Sequence, residues 1–388
     1  MFNSKLPDVG VTIFTVMSRL AAENNAVNLG QGYPDFNASA DLLALVNQAM
    51  VDGHNQYAFM PGIASLRQAI SSKTAALYGV TYDPETEITV TSGATQALMT
   101  AILACVHPGD EVVVLEPTYD SYVPAIRLAG GIPVAVPLQP PTPAQPYFRP
   151  DWDRVRAAIT PRTRLLMINF PHNPTGAVLG ESDLDALERI VAETGVYLVS
   201  DEVYEHIVFD GVPHASIARR PALAARTFLV SSFGKTFHTT GWKIGYCCAP
   251  AALSNEFRKV HQFMVFSVST PMQIGLAAYL QHPEHYLELP AFYQAKRDQL
   301  AMGLADTRFK VLPSPGTFFL MADYSAISDK PEAEFSRWLT LEHGVAVIPI
   351  AAFYSDPNAA SSNHQLVRFC FAKKRETLDA ALTLLRAV

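Results

Sequence analysis

Arg164-Leu-Leu-Met-Ile-Asn169, then a helical pattern over Glu181–Thr194, then Val196-Tyr-Leu-Val-Ser200 together read as one strand–helix–strand unit. Working outward, Glu111-Val-Val-Val-Leu115 and Val196–Ser200 are continuous apolar runs, as expected of strands buried on both faces. Further candidate strands are Ile88–Thr91, Pro133–Val136, Phe228–Ser231 and Ile244–Ala249, with helical patterns at Thr95–Val106 and Ala252–Gln262. This alternation predicts an α/β protein with a large, mostly parallel sheet covered by helices. Past about residue 285 the pattern changes to a long helix (His285–Leu304), short strands (Phe309–Leu312, Thr317–Ala322, Val367–Phe371) and helices Glu332–His343 and Arg375–Arg386. That predicts a smaller α+β domain completed by the N-terminal segment, so 46–285 is read as the large domain and 1–45 plus 286–388 as the small one.

With 388 residues, 49% hydrophobic and 17% charged, the chain has the composition of a compact enzyme. A net charge of −7 and the absence of any basic run argue against nucleic acid or an anionic membrane as partner. The apolar stretches are too short to span a bilayer, and Met1-Phe-Asn-Ser-Lys5 lacks the regions of a secretory signal. The four cysteines (Cys105, Cys247, Cys248, Cys370) lie in apolar runs without metal-ligand spacing, so reduced thiols in a cytoplasmic protein without a metal site are expected. The proline-rich Gln139–Pro150 reads as a stiff surface connection.

Several polar residues stand where burial makes them costly, mostly at predicted strand ends, where open α/β sheets bind ligands. Asp201 closes the strand Val196–Ser200 and needs a cationic partner, or else caps a following helix. Ser92-Gly93-Ala94-Thr95 joins strand to helix; its free N–H groups suit an anion, or Ser92 or Thr95 is an ordinary cap. Asn169-Phe-Pro171-His-Asn173-Pro174-Thr-Gly176 breaks helix and strand alike, which leaves an ordered irregular loop. Arg368 is one cation in the apolar run Leu366–Phe371, so it pairs with a carboxylate, from a ligand or from the chain itself. Lys235, in Ser231-Ser-Phe-Gly-Lys235-Thr-Phe-His-Thr-Thr-Gly241-Trp-Lys243, is weak evidence alone, since such lysines are usually solvated.

Taken together, these motifs resemble the class I/II aminotransferases of pyridoxal-phosphate (PLP) fold type I, from Leu29 to Phe371. The resemblance implies that Lys235 holds the cofactor through a Schiff base and later moves the substrate's α-proton. It implies that Ala94, Thr95, Ser232 and Lys243 bind the cofactor phosphate, that Tyr119 stacks on its ring, and that Asn173 and Tyr204 meet its ring hydroxyl. Asp201 would hold the ring nitrogen protonated. Arg368, Gly32 and Asn173 would take the substrate carboxylate. Asn55-Gln-Tyr57 resembles the segment whose tyrosine reaches the neighbouring subunit's phosphate, which implies a homodimer with shared sites. Two departures stand out: Lys243 replaces the arginine of many relatives, and His238 replaces a small residue.

Gly30-Gln-Gly-Tyr-Pro-Asp-Phe36, His261-Gln262, Val265-Phe266 and Val367–Ala372 most resemble the branch with kynurenine/glutamine and bacterial methionine aminotransferases, nearest the methionine enzymes. Phe14, Tyr33, Phe266 and Phe353 would then form an uncharged pocket for a thioether or an aromatic ring. The implied reaction is ping-pong transfer of an amino group from methionine or another apolar or aromatic amino acid to a 2-oxo acid. Alternatives are β-elimination from cysteine S-conjugates and, from another class, a PLP-binding regulator, which would need an added basic DNA-binding region.

Overall fold

The computed structural model describes residues 3–388. A seven-stranded sheet runs in the order Ile88–Thr91, Gly245–Cys248, Thr227–Ser232, Tyr197–Asp201, Thr163–Asn169, Glu111–Glu116, Ile132–Pro137. All pairings are parallel except those of Gly245–Cys248, which runs antiparallel to both neighbours. Every residue of Glu111–Glu116 and Thr227–Ser232 is buried, as strands covered on both faces require. Helices Gly93–Cys105 and Ala251–Met264 pack on one face and Glu181–Thr194 on the other, where Leu184, Leu187 and Val191 meet Leu166 and Leu198.

Because six of the seven strands run in the same direction, their carboxyl ends lie along one edge. Glu116, Asn169, Asp201 and Ser232 all terminate strands there. Asn169 pairs in register with Asp201, and Asp201 with Val230.

A four-stranded antiparallel sheet, ordered Ile348–Pro349, Leu366–Cys370, Phe319–Asp323, Lys310–Val311, stands beside it. The N-terminal segment is sewn to this part. Val27–Asn28 pairs in parallel with Val345–Ala346, and Cys370 N–H donates to the Leu29 carbonyl at 2.6 Å.

Two sequence expectations need correction. The single helix over His285–Leu304 is two, Glu284–Leu287 and Leu289–Ala305, because Pro290 lacks the N–H that would continue the ladder and instead sits in a first turn. The strand expected from Thr317 begins at Phe319, since Thr317 has φ +66 and its N–H turns back to the Ile207 carbonyl. Gln139–Pro150 is a surface connection that folds on itself, with Gln139 and Arg149 exchanging backbone hydrogen bonds. The four cysteines are free, three of them buried and Cys105 half-buried.

Candidate active site

One cavity collects the carboxyl-end residues. Its walls include Ala94, Thr95, Tyr119, Asn173, Asp201, Tyr204, Ser232, Lys235 and Lys243. Residues far apart in sequence meet there because each follows a parallel strand of one sheet or, like Lys243, precedes the antiparallel one.

Asp201 is buried, and among the described residues no cation forms an ion pair with it, although Lys235 acts on it at longer range. The Tyr122 hydroxyl donates to its Oδ2 at 2.6 Å, and the Val203 N–H approaches Oδ1 at 3.4 Å. Burial lifts the carboxyl to about 6, against the lowering pull of those two donors. No helix follows Asp201, so the capping alternative is not realised. Asn169 ties the neighbouring loop in place: its Nδ2 donates to the Asp201 carbonyl at 2.9 Å, and its Oδ1 accepts the Asn173 N–H at 3.0 Å.

Lys235 sits in a single turn, Phe233–Thr236, directly after the strand ending at Ser232. Its ammonium donates to the Gly32 carbonyl at 3.2 Å and lies 5.7 Å from the Tyr204 ring centre and 5.3 Å from that of Phe318. Burial brings its pKa down from 10.5 to about 8, toward the range in which an amine is a usable nucleophile and base. Tyr204 is wedged edge-on against Phe318 and Phe319.

The end of the cavity with free N–H groups is the start of Gly93–Cys105. Ser92 makes no side-chain capping bond there, whereas Thr12, Ser39 and Asp151 cap their own helices. Its first N–H groups are therefore left to a ligand. Gly93 has φ +75, and a Cβ on it would lie 3.1 Å from Cε and 3.2 Å from Nζ of Lys243. The turn thus closes against the lysine side chain, which brings a cation to the same helix end. Lys243 itself has φ +56.

Arg368 is fully buried, and among the described residues no carboxylate forms an ion pair with it, although Asp120 acts on it at longer range. Its Nη1 donates to Asn173 Oδ1 at 2.5 Å and its Nη2 to the Gly30 carbonyl at 3.2 Å, while Nε has no partner. Phe319 lies 3.8 Å under the guanidinium, with Phe353 at 5.1 Å and Phe14 at 5.3 Å. Burial brings its pKa from 12.5 to about 10. The internal salt bridge left open by the sequence is absent among the described residues. A Cβ on Gly32 would meet Phe319 at 2.9 Å, so this loop packs closely over the aromatic wall. Tyr33, half exposed, borders a recess with Phe14.

Gly32 and Arg368 adjoin the cavity through Lys235 and Asn173, and Phe353 through Arg368, but Phe14 and Tyr33 border the separate recess and Tyr57 and Phe266 lie apart within one chain. Tyr57 is 84% exposed, and Phe266 packs edge-on to it at 5.4 Å; together with Ser267 and Thr270 they border the surface. His238 lies in an aromatic cluster with Phe36 at 5.0 Å and Tyr293 at 5.6 Å, and burial lowers its pKa to about 4. It is a packing residue. The sequence alone gives no role to Tyr122 or to Asn169, which opens the Asn169–Gly176 loop; a tyrosine at a helix start gives no local sign that it reaches Asp201 across the sheet edge.

The site makes three unmet demands: a cation at Asp201, an anion between the helix start and Lys243, and a carboxylate at Arg368. With a buried amine among them, these fit a phosphorylated pyridine aldehyde and an amino acid. Residues 24–385 match the family model for aminotransferases of class I and II. The chain belongs to that family, whose members are PLP-dependent enzymes. The methionine aminotransferase of Escherichia coli (strain K12) is 51% identical to it over 384 residues, covering 99% of this chain and 97% of that one. A solved structure from Escherichia coli, described as YbdL with a methionine aminotransferase function, superposes with a TM-score of 0.96 at 50% identity, covering all of both chains. The N-succinyldiaminopimelate aminotransferase of Mycobacterium tuberculosis superposes with a TM-score of 0.95 at 42% identity, again over all of both chains. No helix among the described residues is long and apolar enough to cross a membrane.

Proposed function

We propose that this aminotransferase uses methionine, and with it other apolar or aromatic amino acids, as amino donor to a 2-oxo acid. The observation that carries this reading is the uncharged wall of Phe14, Phe319 and Phe353 around Arg368. A thioether or ring gains from contact with such a wall, whereas a second carboxylate would find no partner cation in it. The 51% identical relative is a methionine enzyme, which agrees.

When bound, PLP supplies an electrophilic carbon for the amine and a ring that withdraws electrons from the substrate's Cα. In this reading Lys235 is the amine that holds the cofactor, and once released its Nζ takes and returns the Cα proton. Its pKa near 8 leaves an appreciable neutral fraction at physiological pH. Asp201 holds a proton on the ring nitrogen, and Tyr122 fixes the Oδ2 of that carboxylate. Tyr204 and Asn173 meet the ring hydroxyl, and Tyr119 covers the ring face. Ala94, Thr95, Ser232 and Lys243 take the phosphate. Arg368 and Asn173, with Gly32, grip the α-carboxylate, which orients the Cα–H toward Lys235. One position serves donor and acceptor in turn, hence ping-pong kinetics.

The chain divides, in this reading, into 46–285, which holds the cofactor, and 1–45 with 286–388, which contributes Arg368. It works in the cytoplasm as a homodimer. The exposed apolar group Tyr57 (84%), Phe59 (69%), Phe263 (87%) and Phe266 supports a self-complementary face. Tyr57 would there reach the partner's phosphate, and Phe266 the partner's side-chain pocket.

The test is a panel of donors (methionine, phenylalanine, kynurenine, glutamine, aspartate and N-succinyldiaminopimelate) against several 2-oxo acids. Methionine or an aromatic donor should give the highest kcat/KM. Aspartate or the succinylated donor in first place would overturn the substrate assignment.

A further inference from the structure

The face of the strand ends turned away from the cavity carries a buried polar cluster built on Glu205, which the reaction does not use. The Glu205 carboxylate accepts from Lys73 Nζ at 2.7 Å, Ser231 Oγ at 2.5 Å, Tyr246 OH at 3.0 Å and, through its other oxygen, the Tyr78 hydroxyl. Lys73 Nζ also lies 3.1 Å from His206 Nε2. Lys73, Glu205, Ser231 and Tyr246 are all buried. Burial opposes ionisation of Glu205, yet Lys73 and the surrounding donors hold its carboxyl well below the usual range. The members are neighbours of cofactor-site residues: Glu205 follows Tyr204, Ser231 precedes Ser232, and Tyr246 lies just beyond Lys243. Successive strand residues face opposite ways, so Ser231 grips Glu205 while Ser232 lines the cavity.

We propose that the Lys73–Glu205 pair is a positioning device, which locks the Tyr204 turn to the strand ends carrying Ser232, Lys235 and Lys243 and so sets the cofactor's seat. This inference rests on the cofactor roles proposed above for Tyr204 and Ser232. The Tyr204 hydroxyl makes no hydrogen bond within the described chain, so apart from its backbone bond to the Ile207 N–H the side chain is placed by its neighbours. The preceding acid, Glu202, holds the other side: its carboxylate takes Ser200 Oγ at 2.9 Å, the Ile217 N–H at 3.1 Å and His214 Nε2 at 2.7 Å. A buried ion pair is poor value as a source of stability, since apolar replacements often do as well. Its worth here is that a charged, multiply bonded group accepts only one arrangement of three chain segments.

The experiment compares the unaltered holoenzyme with the double variant Lys73→Met/Glu205→Gln, which removes both charges and keeps an acceptor. Three quantities are read without substrate: the PLP dissociation constant of the cofactor-free protein, the pH midpoint of the lysine–cofactor absorbance band, and the thermal midpoint of the cofactor-free protein. A positioning role predicts weaker PLP binding, by roughly tenfold or more, and a displaced absorbance midpoint, with the cofactor-free thermal midpoint little changed. Unchanged PLP affinity and absorbance midpoint alongside a lowered thermal midpoint would make the pair merely structural and overturn the inference. Should the double variant not fold, Tyr246→Phe, which deletes one donor to Glu205 without stranding a charge, carries the same comparison. Failure of the unaltered protein to show the absorbance band at all would instead strike at the cofactor assignment.

Discussion

Arg368 and Asn173, far apart in sequence, are joined by a hydrogen bond of 2.5 Å from Nη1 to Oδ1, and among the described residues no carboxylate forms an ion pair with the guanidinium, Asp120 acting on it only at longer range. A buried cation with only neutral acceptors is costly until an anion arrives. That ties the small sheet to the loop after Thr163–Asn169, and in the proposed reading the missing anion is the substrate carboxylate.

Arg368→Met should therefore lower kcat/KM for methionine by roughly 100-fold or more, the equivalent of about 3 kcal/mol. The cofactor-free protein should lose little stability, because the cost of burying the charge disappears with it. Steady-state kinetics with calorimetry on the same preparations check both halves. Lost stability with unchanged kcat/KM would contradict the role.

Asp201 gives a prediction with a defined pH sense. Its carboxyl rises from 3.8 to about 6 on folding, so the folded cofactor-free protein binds more protons than the unfolded chain between those values, and stability falls as pH rises through them. Asp201→Asn should accordingly stabilise the cofactor-free protein at pH 7, by at most about 3 kcal/mol, and the gain should vanish below pH 4. Turnover should be nearly abolished, and added PLP should raise the melting temperature less than it does for the unaltered protein. Melting curves from pH 4 to 8 decide it.

The strands and the cofactor motifs could be read locally. Glu111–Leu115 and Val196–Ser200 are apolar throughout, and proline spacing alone made Asn169–Gly176 an irregular loop. Contacts set by tertiary packing could not be read. Nothing near Tyr122 announces Asp201, and nothing near Arg368 excludes an internal acid; only the strand order brings these residues together. Pro290 was a legible stop signal, overridden by the apolar pattern on either side. His238 shows the reverse case, a residue in a catalytic motif whose surroundings are Phe36, Phe292 and Tyr293.

Phe14 is half-buried and edge-on to Phe353 at 5.8 Å, so shortening it removes pocket wall with little damage to the core. Phe14→Ala should lower kcat/KM for methionine and phenylalanine by about tenfold, as loss of apolar contact does. The effect should be absent with alanine as donor. An equal loss for alanine would place Phe14 outside the pocket.

Sedimentation should give twice the chain mass. Phe263→Asp, which puts a charge on the exposed apolar group, should shift the protein toward monomer and reduce turnover in step. A fully active monomer would refute the shared site.

The most direct test of the central claim is to reduce the PLP-loaded protein with borohydride, digest it, and locate the cofactor by mass. The label should fall on the peptide containing Lys235, and Lys235→Ala should carry none and lose turnover. A label on another lysine such as Lys243, or undiminished turnover in Lys235→Ala, would contradict the account.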